Sequence, residues 1–342
     1  MSLTGREIHV AAYTRGGPEF RVAEVSVRPP GRGEVLVRNT WTSVDPGVRV
    51  RLREQAPEGY FDGFQVDAPM DGILTVGEVV ESRADAFAAG DHVWHAAGWR
   101  EYATIRAGAP ALGGLGTLRK IDADAAPAQA YLGPLGGIGL TAYVGLLEVG
   151  GLQDGDVVWV SAAAGAVGSI VAQIAKLRGH TVIGSAGSAA KVAHLLDDLR
   201  LDAAFNHRDG PVADLLRAAA PEGIDVYFDN VGGDHLEAAI GALRRGGRAA
   251  LCGAVSAYDA DEPRPGPANL FRAVTHELTL RGFRGSAHVH RLPEVQRDMA
   301  GWIADGRLRY TETVVDGLER APEALALMLA GRTTGKTLVR IA

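Results

Sequence analysis

A single cysteine, Cys252, stands in the 342 residues of this chain. One thiol excludes an intrachain disulfide and any thiolate-rich metal site, and it fits a reducing cytoplasm. Basic residues hold no majority. The 35 Lys and Arg stand against 41 Asp and Glu, a net charge of −6, and no basic cluster marks nucleic acid as a partner. The opening MSLTGREIHV lacks the apolar core of a secretory signal, so none is expected. Leu132 to Val149 is long enough to span a bilayer, but its five glycines, one proline and Glu148 make it a buried helix, and no membrane is expected as a partner. There is no internal repeat or low-complexity tract.

What is present is an ordinary globular composition, 46% hydrophobic and 22% charged, at a length that exceeds one hydrophobic core and implies about two domains. The most informative stretch runs from Val157 to Gly184. Val157 to Val160 reads as a short buried parallel strand, and Val167, Ile170, Val171 and Ile174 follow at helical spacing. Gly179 stands where a helix C-cap belongs, and Thr181 to Ile183 opens a second strand. At the turn of this βαβ unit, Ala163, Gly165 and Gly168 keep the spacing of G-x-G-x-x-G with alanine in the first place. That first position forms the tight turn, Gly165 lets the backbone approach a pyrophosphate, and Gly168 lets helix pack on strand. The first-turn amides of Ala166 and Val167 then face the phosphate at the positive end of the helix dipole.

Residues 1 to about 110 read as short β-strands separated by Gly/Pro turns, the texture of a small barrel, with Asp45 to Gly59 a loop or short helix and Gly59 to Gly72 irregular. From Ala128 strands alternate with helices. Strands are expected at Ala203 to Asn206, Ile224 to Asp229, Arg248 to Cys252 and Leu278 to Phe283. Helices are expected from Ser188 to Leu199, Val212 to Ala220, His235 to Leu243 and Met299 to Gly306. This pattern implies a doubly wound parallel sheet whose ligand crevice lies at the carboxyl ends of its strands. Residues 310–342 look β-like again and suit the first domain. The expected organisation is therefore an α/β nucleotide domain over 128–306, inserted in a discontinuous domain formed by 1–127 and 307–342.

The second strand of the nucleotide unit ends in Gly184, Ser185, Ala186 and Gly187, without the acid that binds an NAD ribose hydroxyl. Lys191 follows on the next helix. A lysine with small hydroxyl neighbours attracts a 2′-phosphate that a carboxylate repels, so NADPH is the expected cofactor.

Six stretches together resemble a known family: SVDPGVR at 43–49, GLTAYVGLLEVG at 139–150, AAAGAVGSIVAQIAKL at 162–177, YFDNVGG at 227–233, CGAVSAY at 252–258 and GKTLV at 335–339. The chain resembles the zinc-independent medium-chain dehydrogenases/reductases, within them the group of prostaglandin reductases, leukotriene dehydrogenases, and 2-alkenal and curcumin reductases. The resemblance implies a GroES-like β-barrel catalytic domain around a Rossmann domain, often a homodimer, and reduction of the carbon–carbon double bond of α,β-unsaturated carbonyl compounds by NADPH. It implies that Lys191 binds the 2′-phosphate and that His207 stands where a tyrosine is usual, able to pair with or stack on the adenosine end. It also places Thr141, Phe283 and Thr333 at cofactor positions, Thr333 replacing the usual asparagine.

In zinc alcohol dehydrogenases a Cys/His set holds the metal. The corresponding Ser43-Val44-Asp45-Pro46-Gly47 has neither residue, and no zinc is expected. Hydroxyl donors must then polarise the carbonyl while hydride reaches the β-carbon and a proton the α-carbon. Tyr258, just past the fifth strand, is the first candidate and Tyr60, on the irregular connection, the second. Asn230, closing the fourth strand, and Cys252 and Gly253, closing the fifth, are expected to border the nicotinamide, with Cys252 a wall residue rather than a nucleophile. Gly137 and Ile138 replace Met and Pro of the family pattern, and Gly47 replaces a bulky aromatic, which implies a reshaped substrate pocket. Two other readings remain: an NADPH quinone oxidoreductase, and an NADPH-binding protein with little catalysis.

Overall fold

Alternating residues with one apolar face pair the first two strands, β1 (Thr4–Thr14) and β2 (Gly17–Ser26), into an antiparallel ribbon. The structure, a computed structural model, describes residues 3–341 except Gly16, Glu58 and 259–264. By proximity of Cα atoms the chain divides into two units, Met1–Gly137 with Glu312–Ala342, and Ile138–Thr311.

In the first unit β3 (Glu34–Val44) is the central strand, followed by the short helix α1 (Gly47–Arg51) and by β4 (Thr75–Ser82), β5 (His92–His95), β6 (Tyr102–Arg106) and β7 (Arg119–Lys120). β3 pairs antiparallel with both β4 and β6, and β4 with β5. Ile8, Val10, Val44, Val48, Leu52, Phe64, Met70, Ile73 and Trp99 pack into the core of this unit.

Helix α2 (Gly137–Val144), lengthened by a wide turn over Gly145–Val149, occupies the glycine-rich apolar stretch. No helix of the described residues is long and apolar enough to cross a membrane. The second unit then alternates β8 (Val157–Val160), α3 (Ala166–Leu177), β9 (Thr181–Ala186), α4 (Ala189–Ala193), β10 (Ala203–Asn206), α5 (Val212–Ala219), β11 (Ile224–Asp229), α6 (Gly233–Ala242), β12 (Leu243–Leu251), α7 (Arg272–Thr275), β13 (Thr279–Gly282) and α8 (Leu292–Ala304). The six strands form one parallel sheet in the order β10-β9-β8-β11-β12-β13. The chain leaves β8 in one direction and returns at β11 to leave in the other, so the strand order reverses between these two. This is the doubly wound arrangement, with every strand's carboxyl end on one edge.

The last part of the chain returns to the first unit as β14 (Glu312–Asp316), α9 (Ala321–Leu329) and β15 (Lys336–Arg340). β14 and β15 run parallel, and β15 pairs antiparallel with β3. A parallel pair needs a crossover of a dozen residues or more, and α9 supplies it. The expectation of β-like structure throughout 310–342 is thus corrected: a helix stands in the middle of it. Helix α8 likewise begins at Leu292, ahead of the expected Met299. Pro293 and Pro322 each stand in the first turn of their helix, where proline's missing N–H costs no hydrogen bond.

Candidate functional site

Three of the four residues of β8 are fully buried between β9 and β11, and the chain must turn sharply to leave this core. Ala162 makes that turn with a positive φ of 48°, one position ahead of the Ala163 expected to form it. Ala163 instead donates its amide to the Ser185 carbonyl at 2.9 Å, which ties the turn to β9. Gly165 caps α3 in an extended conformation. A Cβ on Gly168 would run into the Ala162 carbonyl oxygen and lie 2.9 Å from the Ala163 Cα, both backbone atoms. A Cβ on Gly165 would meet only the Ala162 oxygen, at 3.2 Å. Gly168 therefore closes the helix onto the turn, and Gly165 keeps the outer side of the corner bare. The amides of Ala166, Val167 and Gly168 lie in the first turn of a twelve-residue helix, with no helical carbonyl to take them. The residues present fit a pyrophosphate there.

The next strand ends at a second polar corner. Ser188 accepts the Lys191 amide at 3.3 Å and so caps α4. His207 donates its amide to the Ala186 carbonyl at 3.0 Å. This bond brings the end of β10 beside that of β9, with the imidazole Cε1 3.1 Å from where a Gly187 Cβ would lie. Burial lowers the Lys191 pKa, and the nearby Arg208 guanidinium lowers it further. His207 is lowered first by burial, and among the charged neighbours by Arg208 and Lys191. Two cations therefore stand together at this corner, and no carboxylate pairs with Arg208 among the described residues. Ser185 is fully buried, and its hydroxyl finds no hydrogen-bond partner among the described residues. An unsatisfied hydroxyl and two crowded cations suit a dianionic group. Sequence reasoning missed Arg208; its only signal was a basic residue directly after His207.

His207 also meets His235 edge-on at 5.2 Å, and His235 stacks on Trp159 at 5.9 Å. Burial pulls the His235 pKa down to about 4.

A third group gathers at the carboxyl ends of β11 and β12. Asp229 is buried and accepts from the Tyr227 hydroxyl at 2.7 Å and from the amides of Val231 and Gly232 at 2.9 and 2.8 Å. Burial raises its pKa. Its role in shaping the turn was not anticipated. Asn230 donates its side-chain amide to the Ser161 carbonyl at 2.7 Å, linking the ends of β8 and β11. Burial pushes the Cys252 thiol up to about 12, with Asp229 contributing, so the thiol stays protonated. The Tyr258 phenol folds back over Gly253, its hydroxyl 3.1 Å from where a Gly253 Cβ would lie. Burial raises its pKa too, which keeps it a neutral donor. Thr141 on α2 touches Gly285. The half-buried Phe283 ring packs on Gly145 and stands edge-on to Phe228 at 6.1 Å.

The sheet thus gathers Gly165, Ala166, Val167, Gly168, Ser185, Lys191, His207, Asn230, Cys252, Gly253 and Tyr258 along one edge. Thr333 and Tyr60 belong to the first unit. There Thr333 is buried on the approach to β15, and Tyr60 is 38% exposed, its ring 5.1 Å from Phe61. In the same unit, buried Lys336 places its ammonium 2.8 Å from the Val44 carbonyl, 2.9 Å from Asp45 Oδ1 and 2.9 Å from the Thr337 carbonyl. Ser43 donates to the other oxygen of Asp45.

Comparison with known proteins agrees with this geometry. Residues 7–111 match the family model described as the N-terminal domain of oxidoreductase, and residues 166–301 that described as zinc-binding dehydrogenase. The chain belongs to the zinc-independent medium-chain dehydrogenases/reductases. It is 36% identical to the NADPH-dependent curcumin reductase of Escherichia coli over 97% of this chain and 96% of that protein. It is also 36% identical to the NADP(+)-dependent 2-alkenal reductase of Nicotiana tabacum, over 99% of this chain and 98% of that protein. The crystal structure of CurA from Vibrio vulnificus in complex with NADPH aligns with a TM-score of 0.90 at 33% identity, covering 98% of this chain and 99% of its own.

Within this family the stretch 43–47 of the present chain is organised by a lysine. Asp45 is paired with the buried Lys336 ammonium, so the one carboxylate of that stretch is already engaged by a cation. Among the described residues no three His, Cys, Asp or Glu side chains stand together in a way that could hold a metal ion.

Proposed function

We propose that this chain reduces the carbon–carbon double bond of α,β-unsaturated aldehydes and ketones with NADPH as reductant. The observation that carries the cofactor reading is the cation pair Lys191 and Arg208 beside the carboxylate-free end of β9. Relatives that share about 36% of its residues over nearly the whole chain, named for curcumin and 2-alkenals, support the substrate class.

In this reading the amides of Ala166 and Val167 hold the pyrophosphate. Ser185, Lys191 and Arg208 hold the 2′-phosphate, and His207 lies against the adenosine. Asn230, Cys252, Gly253, Thr141, Phe283 and Thr333 border the nicotinamide half. When bound, NADPH supplies the hydride that reduces the β-carbon. The protein's part is to steady the negative charge that develops on the carbonyl oxygen, and neutral phenols do so by donation. Tyr258 is the first such donor and Tyr60 the second, and the α-carbon takes its proton to complete the reduction. The segments 1–127 and 307–342 form the catalytic domain, and 128–306 the cofactor domain. The protein works as a homodimer, a reading supported by exposed Leu270, Phe271 and Val274 next to the edge strand β13. Sedimentation that returns a monomer at micromolar concentration would remove that last element.

The deciding experiment follows NADPH oxidation against a panel of 2-alkenals, cyclic enones and quinones. Turnover of the enones, falling on the order of 10²-fold in Tyr258→Phe, is expected. Quinone turnover without any enone activity overturns the substrate class.

A further inference from the structure

Position 47 opens α1, and its glycine is not required by its own backbone, since Gly47 is absent from the residues with positive φ. What requires it is a neighbour. A Cβ built at Gly47 would lie 2.6 Å from the Tyr60 hydroxyl oxygen and 3.7 Å from the carbon that bears it. The first distance is impossible for two non-bonded atoms; the second is ordinary contact. The phenol therefore fills the space that any side chain at 47 would take.

The connection that carries Tyr60 is tied to the other end of the same helix. Arg51, the last residue of α1, is buried and donates from Nε to the Asp62 carbonyl at 2.8 Å. Its two terminal nitrogens donate to the carbonyls of Gly72 at 3.0 Å and Asp71 at 2.8 Å. Its guanidinium also lies over the Phe64 ring, 3.9 Å from the centroid. Tyr13 donates its hydroxyl to the Phe64 carbonyl at 2.7 Å. The connection over 59–72 is thus fastened to α1, although it has no regular structure. The turn before α1 is secured in the same way by Lys336, through Val44 and Asp45.

We infer that Gly47 and Tyr60 act as one unit, in which the missing side chain at 47 sets where the Tyr60 hydroxyl is presented and so which carbonyl substrates this chain accepts. Gly47 is the positioning residue and Tyr60 the group it positions. The inference rests on Tyr60 being a donor to the substrate carbonyl, the role given to it under the proposed function.

Three variants test it: Gly47→Ala, Tyr60→Phe and the double variant, assayed for kcat/KM on a 2-alkenal at saturating NADPH. A methyl at 47 collides only with the hydroxyl oxygen, and removing that oxygen removes the collision. Gly47→Ala and Tyr60→Phe are each expected to lower kcat/KM on the order of 10²-fold, the effect of losing one donor. The double variant is expected to fall no further than Tyr60→Phe, with the NADPH dissociation constant unchanged throughout. A double variant that loses the product of the two single effects overturns the pairing, as does wild-type kcat/KM in Gly47→Ala. Full turnover in Tyr60→Phe overturns instead the donor role on which the inference rests. The crystal structure of Gly47→Ala then decides the pairing by itself: a displaced phenol upholds it and an unmoved one ends it.

Discussion

Burial and the neighbouring Arg208 raise the cost of charging Lys191, and Ser185 keeps a buried hydroxyl without a partner among the described residues. A phosphate dianion relieves both, so each cation should contribute to NADPH affinity and neither to NADH affinity. Lys191→Ala and Arg208→Ala are each expected to weaken NADPH binding by about 1.5–3 kcal/mol, the value of a charge-assisted hydrogen bond, as measured by fluorescence titration. Equal losses for NADH would remove both residues from the 2′-phosphate. Lys191 was legible in the sequence because an absent acid and a following lysine form a local pattern. Arg208 was not, because its nearness to Lys191 depends on β10 pairing beside β9. The same holds for Tyr60 and Gly47, thirteen positions apart by their numbers, whose nearness depends on how the irregular connection after α1 runs back past that helix.

Among the elements, the β8–α3 corner was readable almost residue by residue, since a buried strand, small residues and an amphipathic helix follow one another without interruption. Only the site of the positive φ differed, at Ala162. Its two glycines differ in kind, and this can be measured. Gly168→Ala forces a methyl onto backbone atoms that cannot step aside, at a cost of about 1–3 kcal/mol, whereas Gly165→Ala should be milder. Urea unfolding of both variants checks the order, and a Gly165→Ala protein less stable than Gly168→Ala would contradict it. The helices α8 and α9 were the least legible. Each carries a proline in its opening turn, and the short apolar run of α9 lies between two strands, so local pattern alone did not separate helix from strand.

For the molecule as a whole, each unit contains a buried neutral histidine. In the first, His95 donates from Nε2 to Asn39 Oδ1 at 2.9 Å and accepts the Ala97 amide at Nδ1 at 3.0 Å; burial lowers its pKa to about 3. In the second, His235 is lowered to about 4. Both imidazoles take a proton in the unfolded chain near 6.5, before the folded protein does. Their contribution is therefore complete above that pH and is lost as pH falls toward 4. Each should cost about 3 kcal/mol of stability between pH 7 and pH 4. Urea unfolding at the two pH values checks this, and His95→Gln, which keeps a donor and an acceptor but does not titrate, should remove its share of the slope. A slope unchanged in that variant would contradict the assignment.

The antiparallel pairing of β15 with β3 has a consequence for how the protein is made. On the ribosome, residues 138–311 can complete their sheet while Thr337, the strand partner of Val44, and the Lys336 that secures Asp45 are both still unsynthesised. The amino-terminal portion must therefore wait, partly assembled, for the final segment of the polypeptide. A stalled translation product ending near residue 311 should hold a folded interior flanked by a protease-sensitive leader, the reverse of the usual order of maturation.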